Sequence, residues 1–372
     1  MAQIAQIANF VSPTSGGLKT ALLSLALAWT ELGHHVHTII PGERTQSFAH
    51  GPAHVHMVAA PRVPCSGGYR AIMARGPIRS LLADIAPDVM YLSDRTSLLW
   101  TADWARERGV PTSLIAHERV DGVLRAFTGG LSLAPVADYW NRRSARRVDS
   151  IICTTGFAAE EFTRIGEPVQ RVPLGVDLET FQPCRRSAEL RATFGANVLL
   201  GLISRLSTEK RPGFALEVLR ELVERGVDAR LVVAGTGPLD ARMRAQARGL
   251  PVTFLGHLHG RMEMARLLAS LDVVLAPGPI ETFGLAALEA LACGTPVIAN
   301  ADSGIAEVIG GHSGSAFTLD AASWARGVQD LHERSGRVRR AARIHAETFS
   351  WKDCATRMLM VHEALAHQDA AP

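Results

Sequence analysis

Short apolar runs alternate with amphipathic stretches from one end of this chain to the other, and no other sequence feature restricts its fold as much. In the first half, residues 4–10, 36–41, 55–59, 89–93, 113–117, 150–155 and 171–174 read as strands. Residues 18–32, 78–85, 98–108 and 157–165 between them have helical spacing. A strand that is apolar on both faces has to be covered on both, as in a parallel sheet. Strand and helix in alternation then build a doubly wound α/β layer structure. The pattern restarts after residues 175–183: 198–203 reads as a new first strand, followed by 231–234, 252–255, 273–276 and 296–300.

The chain has 372 residues, enough for two such domains. The restart predicts one Rossmann-like domain over 1–182 and a second over 183–349. A terminal helix is expected over about 350–368, with Ser350 as its N-cap and Met358, Met360, Val361 and Leu365 as its apolar positions. Two such domains in series are expected to face each other across a cleft, with ligands at the carboxyl ends of the strands.

A formal charge of +3 speaks against a general nucleic-acid binder. Cys65, Cys153, Cys184, Cys293 and Cys354 are odd in number, far apart and without a CxxC pair, so reduced thiols are expected rather than disulfides or a zinc site. The first ten residues carry no basic region followed by an apolar core, and the apolar stretch 21–29 is too short to cross a bilayer. A cytoplasmic chain is expected, with peripheral contact at the inner membrane face left open.

The densest chemical signal runs from Pro279 to Glu289. A helix should begin near Phe283 or Gly284 and end at Cys293, with Gly294 at the position after the cap. The amides of Phe283, Gly284 and Leu285 would form an anion site at its start. Glu281 beside that site suits sugar hydroxyls, and Glu289 suits a pair of ribose hydroxyls. Taken alone, these carboxylates also fit an ordinary N-terminal helix charge and a solvated face. Arg205 and Lys210 follow the first strand of the second domain, where they can neutralise a diphosphate or simply form a basic turn. Lysine occurs elsewhere only at Lys19 and Lys352, which singles out Lys210.

In the first domain, Gly16 and Gly17 follow the first strand and admit a close ligand, though a plain tight turn would read the same. His117 ends a strand and can reach a sugar hydroxyl or cap the next loop. His257 and His259 lack a third ligand at metal spacing, and no DxD-type pair suits a cation. No P-loop and no complete GxGxxG is present. Arg142, Arg143, Arg146 and Arg147, after Tyr139 and Trp140, form a basic helix face that is either solvated or set against an anionic acceptor or lipid surface.

Together these residues resemble family 4 of the retaining GT-B glycosyltransferases. The pattern is Arg205 with Lys210, Glu281 with Glu289 around Phe283-Gly284, Cys293-Gly294-Thr-Pro296, Gly16-Gly17, and residues 173–177 and 254–256. The resemblance spans the whole chain. It implies an α/β GT-B architecture, with the acceptor held by the first domain, the donor by the second, and the terminal helix crossing back to the first. It further implies that Glu281 and His117 approach the donor sugar and that Glu289 holds the ribose. Arg205 and Lys210 would stabilise the departing diphosphate, and amides near Gly17 and over 283–285 would complete the contacts. No metal and no cofactor are implied. The start of the chain and residues 276–280 are similar to actinobacterial mannosyltransferases that use GDP-mannose, so transfer of mannose to a lipid-linked, glycan or cyclitol hydroxyl is expected. A UDP-sugar donor, a nucleotide-sugar epimerase, a phosphorylase with pyridoxal phosphate, and a catalytically silent sugar-nucleotide binder are the alternatives.

Overall fold

A computed structural model describes residues 1–11, 16–63, 68–128, 131 and 133–369. Ser15 and Cys65 lie outside the described residues. The chain divides into two bodies, residues 1–175 with 351–372 and residues 176–350.

The first body holds strands β1 (Gln3–Ile7), β2 (His35–Gly42), β3 (Gln46–His50), β4 (Ala53–Ala59), β5 (Val89–Leu92), β6 (Thr112–Ala116), β7 (Ser150–Cys153) and β8 (Gln170–Arg171). Its helices are α1 (Gly17–Glu31), α2 (Arg75–Ile85), α3 (Trp100–Arg106), α4 (Val120–Phe127), α5 (Ala134–Ala145) and α6 (Gly156–Thr163), with the C-terminal helix Trp351–Asp369. The sheet order is β3-β4-β2-β1-β5-β6-β7-β8. Every pairing is parallel except β3 with β4, which is antiparallel. That strand departs from the purely parallel sheet expected. It is a half-exposed edge with no apolar run to betray it.

The C-terminal helix is seated on the first body by a polar-aromatic stack. Trp29 lies flat on Tyr91 at 4.5 Å, and the Trp29 Nε1–H donates to the Ala355 carbonyl at 3.1 Å. His362 meets Tyr91 edge-on and shares a hydrogen bond of 3.0 Å with the Ser113 hydroxyl. Burial lowers the His362 imidazole to about 4, so it is neutral where it sits. The buried stripe is Cys354, Ala355, Met358 and His362, at helical spacing. Met360 was expected among the apolar contacts but is 58% exposed, because two residues along a helix turn it about 200° away from Met358. The Leu365 side chain lies outside the described residues.

The second body holds β9 (Val198–Ile203), β10 (Ala229–Ala234), β11 (Val252–Gly256), β12 (Val273–Ala276), β13 (Val297–Asn300) and β14 (Gly314–Phe317). Its helices are α7 (Ala188–Phe194), α8 (Gly213–Glu224), α9 (Asp240–Gln246), α10 (Arg261–Ser270), α11 (Leu285–Ala292), α12 (Ile305–Val308), α13 (Ala321–Glu333) and α14 (Ser335–Ala346). The strand order is β11-β10-β9-β12-β13-β14, all parallel. The chain winds outward from β9 through β10 and β11, then returns to β12 on the other side of β9 and winds outward again. The reversal puts a topological switch point between β9 and β12, the place where open α/β sheets bind ligands.

Residues 176–182, placed with the first domain by the sequence, belong to the second body. The Val176 amide donates to the Phe349 carbonyl at 3.1 Å, and Arg343 donates to the Phe181 carbonyl at 2.8 Å. Phe181 itself is buried.

Candidate active site

The loops after β9 and β12 meet at the switch point of the second body. Arg205 lies two residues past β9 and is half-buried. Lys210 closes a 3-10 turn, Thr208–Lys210, whose last amides bond back to Ser207 and Thr208. Arg211 follows at φ 47°, an uncommon left-handed conformation for a residue with a side chain. Across the switch point, Glu281 leaves the loop after β12 and its carboxylate pairs with the Lys210 ammonium. The structure thus joins two sequence candidates directly.

Close backbone approaches set this geometry. Gly278 lies against the Lys210 turn: a Cβ there would stand 3.3 Å from the Glu209 carbonyl and 3.4 Å from the Lys210 Cα. Gly235 and Gly237, in the loop after β10, cradle the Arg205 segment. The Leu206 amide donates to the Thr236 carbonyl at 3.0 Å and the Ser204 amide to the Ala234 carbonyl at 3.2 Å. The Gly-Thr-Gly run at 235–237 is therefore a support for the cationic loop.

The helix after Glu281 starts later than the sequence suggested. It is α11, with Gly284 as N-cap at φ 82°, so Phe283 precedes the helix. Glycine is required at 284, since φ is positive and a Cβ would lie 2.5 Å from Ile305. Ala287 and Leu288 donate to the Gly284 carbonyl. Among the described residues, the amides of Phe283, Gly284 and Leu285 find no backbone acceptor, which leaves a donor cluster at the helix start beside Glu281 and Lys210.

Two residues that sequence reasoning passed over hold this loop from the next strand. Asn300, buried at the end of β13, donates from Nδ2 to the Pro277 carbonyl at 3.4 Å. The Gly304 amide donates to the Glu281 carbonyl at 2.7 Å, where a side chain would collide with Thr282. The glycine at 304, shortly after a strand, was the available signal.

Glu289 lies one turn inside α11 and is half-buried, not a solvated face. Burial pushes its carboxyl up to about 7; Arg261 pulls it down and Asp177 pushes it further up. Arg261 itself is paired with Asp177 at 3.0 Å.

In the first body, His117 follows β6 and shares a hydrogen bond of 3.1 Å with the Ser93 hydroxyl at the end of β5. Burial, with the Arg95 guanidinium nearby, lowers its imidazole to about 4, so the ring is neutral. Gly16 caps α1 and Gly17 opens it. Gly16 has φ −84° and ψ −91°, just outside the usual helical region, and a Cβ on either glycine meets no described atom within 4 Å. His117 and the two glycines therefore sit at the carboxyl edge of the first sheet, in a different body from the Lys210–Glu281 group.

Arg95 was not anticipated. It donates to Asn141 on α5 at 2.7 Å and to Glu161 on α6 at 3.2 Å, and it also binds the Glu118 carbonyl beside His117 at 2.5 Å. Glu161, fully buried, accepts from the amides of Val120 and Asp121 and so caps α4. Burial pushes the Glu161 carboxyl up while Arg95 pulls it down.

Among the described residues no group of three or more His, Cys, Asp or Glu side chains is arranged to hold a metal ion. His257 and His259 pack edge-on at 4.6 Å. Cys153, Cys184, Cys293 and Cys354 are free thiols.

Comparison with known proteins decides what this arrangement belongs to. Residues 15–180 match the family model described as Glycosyltransferase Family 4, and residues 197–334 match Glycosyl transferases group 1. Over 369 residues the chain is 43% identical to a GDP-mannose-dependent alpha-(1-6)-phosphatidylinositol dimannoside mannosyltransferase of Mycobacterium tuberculosis, covering 98% of this chain and 97% of that one. The chain belongs to glycosyltransferase family 4. It is also 29% identical over 306 residues to a GDP-mannose-dependent alpha-mannosyltransferase of Mycolicibacterium smegmatis, covering 80% and 79% of the two chains. Its fold is GT-B. Sucrose-phosphate synthase from Thermosynechococcus elongatus superposes with a TM-score of 0.77 at 19% identity, over 98% of this chain and 99% of that one. Anabaena HepE in complex with UDP and glucose superposes with 0.73 at 18%, over 98% and 100%. This family 4 enzyme is a glycosyltransferase; an epimerase, a phosphorylase or a silent binder is not favoured.

Proposed function

We propose that this glycosyltransferase moves mannose from GDP-mannose to a hydroxyl of a lipid-linked mannoside, with retention at the anomeric carbon. The observation that carries the reading is the Lys210–Glu281 pair beside Arg205 and the start of α11, at the switch point of the second sheet. The mannosyltransferase relatives supply the donor and the acceptor class. The second body would hold the donor. Arg205, Lys210 and the amides of 283–285 take the diphosphate, Glu281 the mannose hydroxyls and Glu289 the ribose. The first body would hold the acceptor, with Gly16, Gly17 and His117 completing the contacts to phosphate and sugar.

In the step itself, the bond between the anomeric carbon and the β-phosphate oxygen breaks. The acceptor oxygen forms its bond to that carbon on the same face, and the acceptor proton passes to the departing phosphate oxygen. Negative charge grows on the diphosphate, where Arg205, Lys210 and the helix start stabilise it, so side chains rather than a metal supply the positive charge. A neutral His117 suits this role, because it can donate to or accept from a sugar hydroxyl without adding charge. Work on a lipid-linked acceptor would place the enzyme at the cytoplasmic face of a membrane, with the basic face of α5 as the element available for contact. Among the described residues no helix is long and apolar enough to cross a membrane.

The test is a thermal-shift panel of GDP-mannose, UDP-glucose, UDP-N-acetylglucosamine and ADP-glucose. It is followed by a transfer assay onto phosphatidylinositol mannosides with the product linkage read by NMR. At a hundred-fold excess over Kd the correct donor adds about 3 kcal/mol of stability. Selective stabilisation by GDP-mannose and an α-linked product are expected. A β-linked product, or donor conversion that needs no acceptor, would overturn the proposal.

Glu289 gives this reading a pH signature. A carboxyl raised from 4.5 to about 7 costs the fold nothing below about pH 4.5 and withdraws stability as pH rises through 7. Ribose hydroxyls donating to the carboxylate offset that cost, so donor binding should tighten between about pH 6 and 8. Glu289→Gln should bind donor about ten-fold more weakly with a flat profile. A wild-type Kd independent of pH across this range counts against the ribose role.

A further inference from the structure

Arg95 spends its guanidinium, only 8% exposed, on three segments at the carboxyl edge of the first sheet. It donates to the Asn141 side-chain oxygen on α5 at 2.7 Å, to the Glu161 carboxylate on α6 at 3.2 Å, and to the carbonyl of Glu118, the residue after His117. Its Cζ also lies 4.9 Å from the centre of the Phe162 ring. The same strand end holds the His117 ring, since Ser93, two residues before Arg95, shares a hydrogen bond with it at 3.1 Å. Between the two, Asp94 fixes the segment by accepting from the Leu98 amide at 2.8 Å, the Thr96 amide at 3.1 Å and the Asn9 side chain at 3.3 Å. One short loop therefore grips His117 twice, at its ring and at the carbonyl of its neighbour.

Glu161 closes the clamp from the other side. It is fully buried and accepts from the amides of Val120 at 3.0 Å and Asp121 at 2.7 Å. Those two bonds already cap α4. The bond from Arg95 to the Glu118 carbonyl lies outside that helix and adds nothing to its capping. A buried ion pair is also a poor source of net stability, because desolvation cancels most of the attraction. What the pair does fix is the course of residues 117–121.

We propose that Arg95 and Glu161 are positioning residues for His117: together they fix the segment that carries the ring, and the Arg95 charge opposes a second charge on it. The use of that ring at the sugar rests on the function proposed above. The other charged groups nearby are engaged elsewhere. Asp121 is held by Arg119 at 2.9 Å and Arg164 at 2.8 Å, and Glu160 pairs with Arg119. Burial pushes the Cys153 thiol at the end of β7 up to about 12, so it carries no charge. Glu118 points its burial class outward, as an exposed residue. Burial is the first cause that lowers the His117 imidazole and Arg95 the second, so loss of the Arg95 charge should raise it.

The pair variant Arg95→Gln with Glu161→Gln removes both charges together, so no lone buried charge is left to unfold it. It is to be compared with the parent, with His117→Ala and with the triple variant, in transfer from GDP-mannose to phosphatidylinositol mannosides. The pair variant should lose about ten- to a hundred-fold in kcat, the effect of a reacting group misplaced by about 1 Å, with KM for GDP-mannose little changed. The triple variant should be no slower than His117→Ala, because the pair then has nothing left to position. Losses that multiply in the triple variant assign the pair to the fold alone and overturn the proposal. His117→Ala with the kcat of the parent removes His117 from the proposed function, and the proposal falls with it. Should the pair variant not fold, Arg95→Lys, which keeps the charge but not the fork, takes its place in the cycle. A readout that needs no substrate is the imidazole titration of His117 by NMR, its signal identified by its absence from His117→Ala. The midpoint should be about 4 in the parent and higher in the pair variant. An unmoved midpoint overturns the proposal whichever donor the enzyme uses.

Discussion

Lys210→Ala is expected to lower turnover about a hundred- to a thousand-fold, the usual loss when a group that stabilises transition-state charge is removed. The melting temperature should move by only a few degrees. Lys210 and Glu281 are both partly open to solvent, at 26% and 24%, and a pair so placed contributes at most about 1 kcal/mol to the fold. Under the proposed function the pair is a site held in readiness, its ammonium neutralised by Glu281 until the diphosphate of the donor would take its place. Arg205→Ala should give a loss of the same order. The double variant should lose less than the product of the two, because both cations act on one leaving group. Steady-state rates and a melting curve decide it, and near-normal turnover in both single variants would remove the cationic loop from the mechanism.

Gly235→Ala should be among the most disruptive single substitutions in the second body, at a cost on the order of 3–5 kcal/mol. The φ of 143° strains any residue with a side chain, and the added Cβ would stand 1.9 Å from the Ser204 carbonyl oxygen. Relief requires moving the segment that carries Arg205, so activity should fall further than the loss of folded protein explains. Gly16→Ala makes the contrasting case, because its φ is negative, at −84°, and no described atom lies near the new methyl. It should melt like the parent. Chemical denaturation of both variants separates a glycine kept for the fold from one kept for what approaches it.

Strands such as Val89–Leu92, Val198–Ile203 and Val273–Ala276 were legible because each is a run of apolar residues buried on both faces. β3 and β14 were not, since Gln46–His50 and Gly314–Phe317 are half-exposed and lack such a run. Sequence spacing placed Lys210 and Glu281 on loops after strands, and the family pattern implied their roles. It did not reveal that they pair, because partners 71 residues apart meet only through strand order. Arg95 and Glu161 escaped notice for the same reason: their roles come from a buried network assembled from four segments of the first body. Asn300 and Gly304 act on the neighbouring loop rather than on their own, which a pattern read along one strand does not show.

The C-terminal helix has a consequence for how the chain is made. Trp29, Tyr91 and Ser113 are complete early in synthesis, yet the helix that covers them is made only after the whole of the second body. The second body begins later and is contained within residues 176–350. The first half of the chain therefore waits with an uncovered aromatic patch while the second half finishes folding, and nascent chains stalled before residue 351 should be the species that chaperones hold.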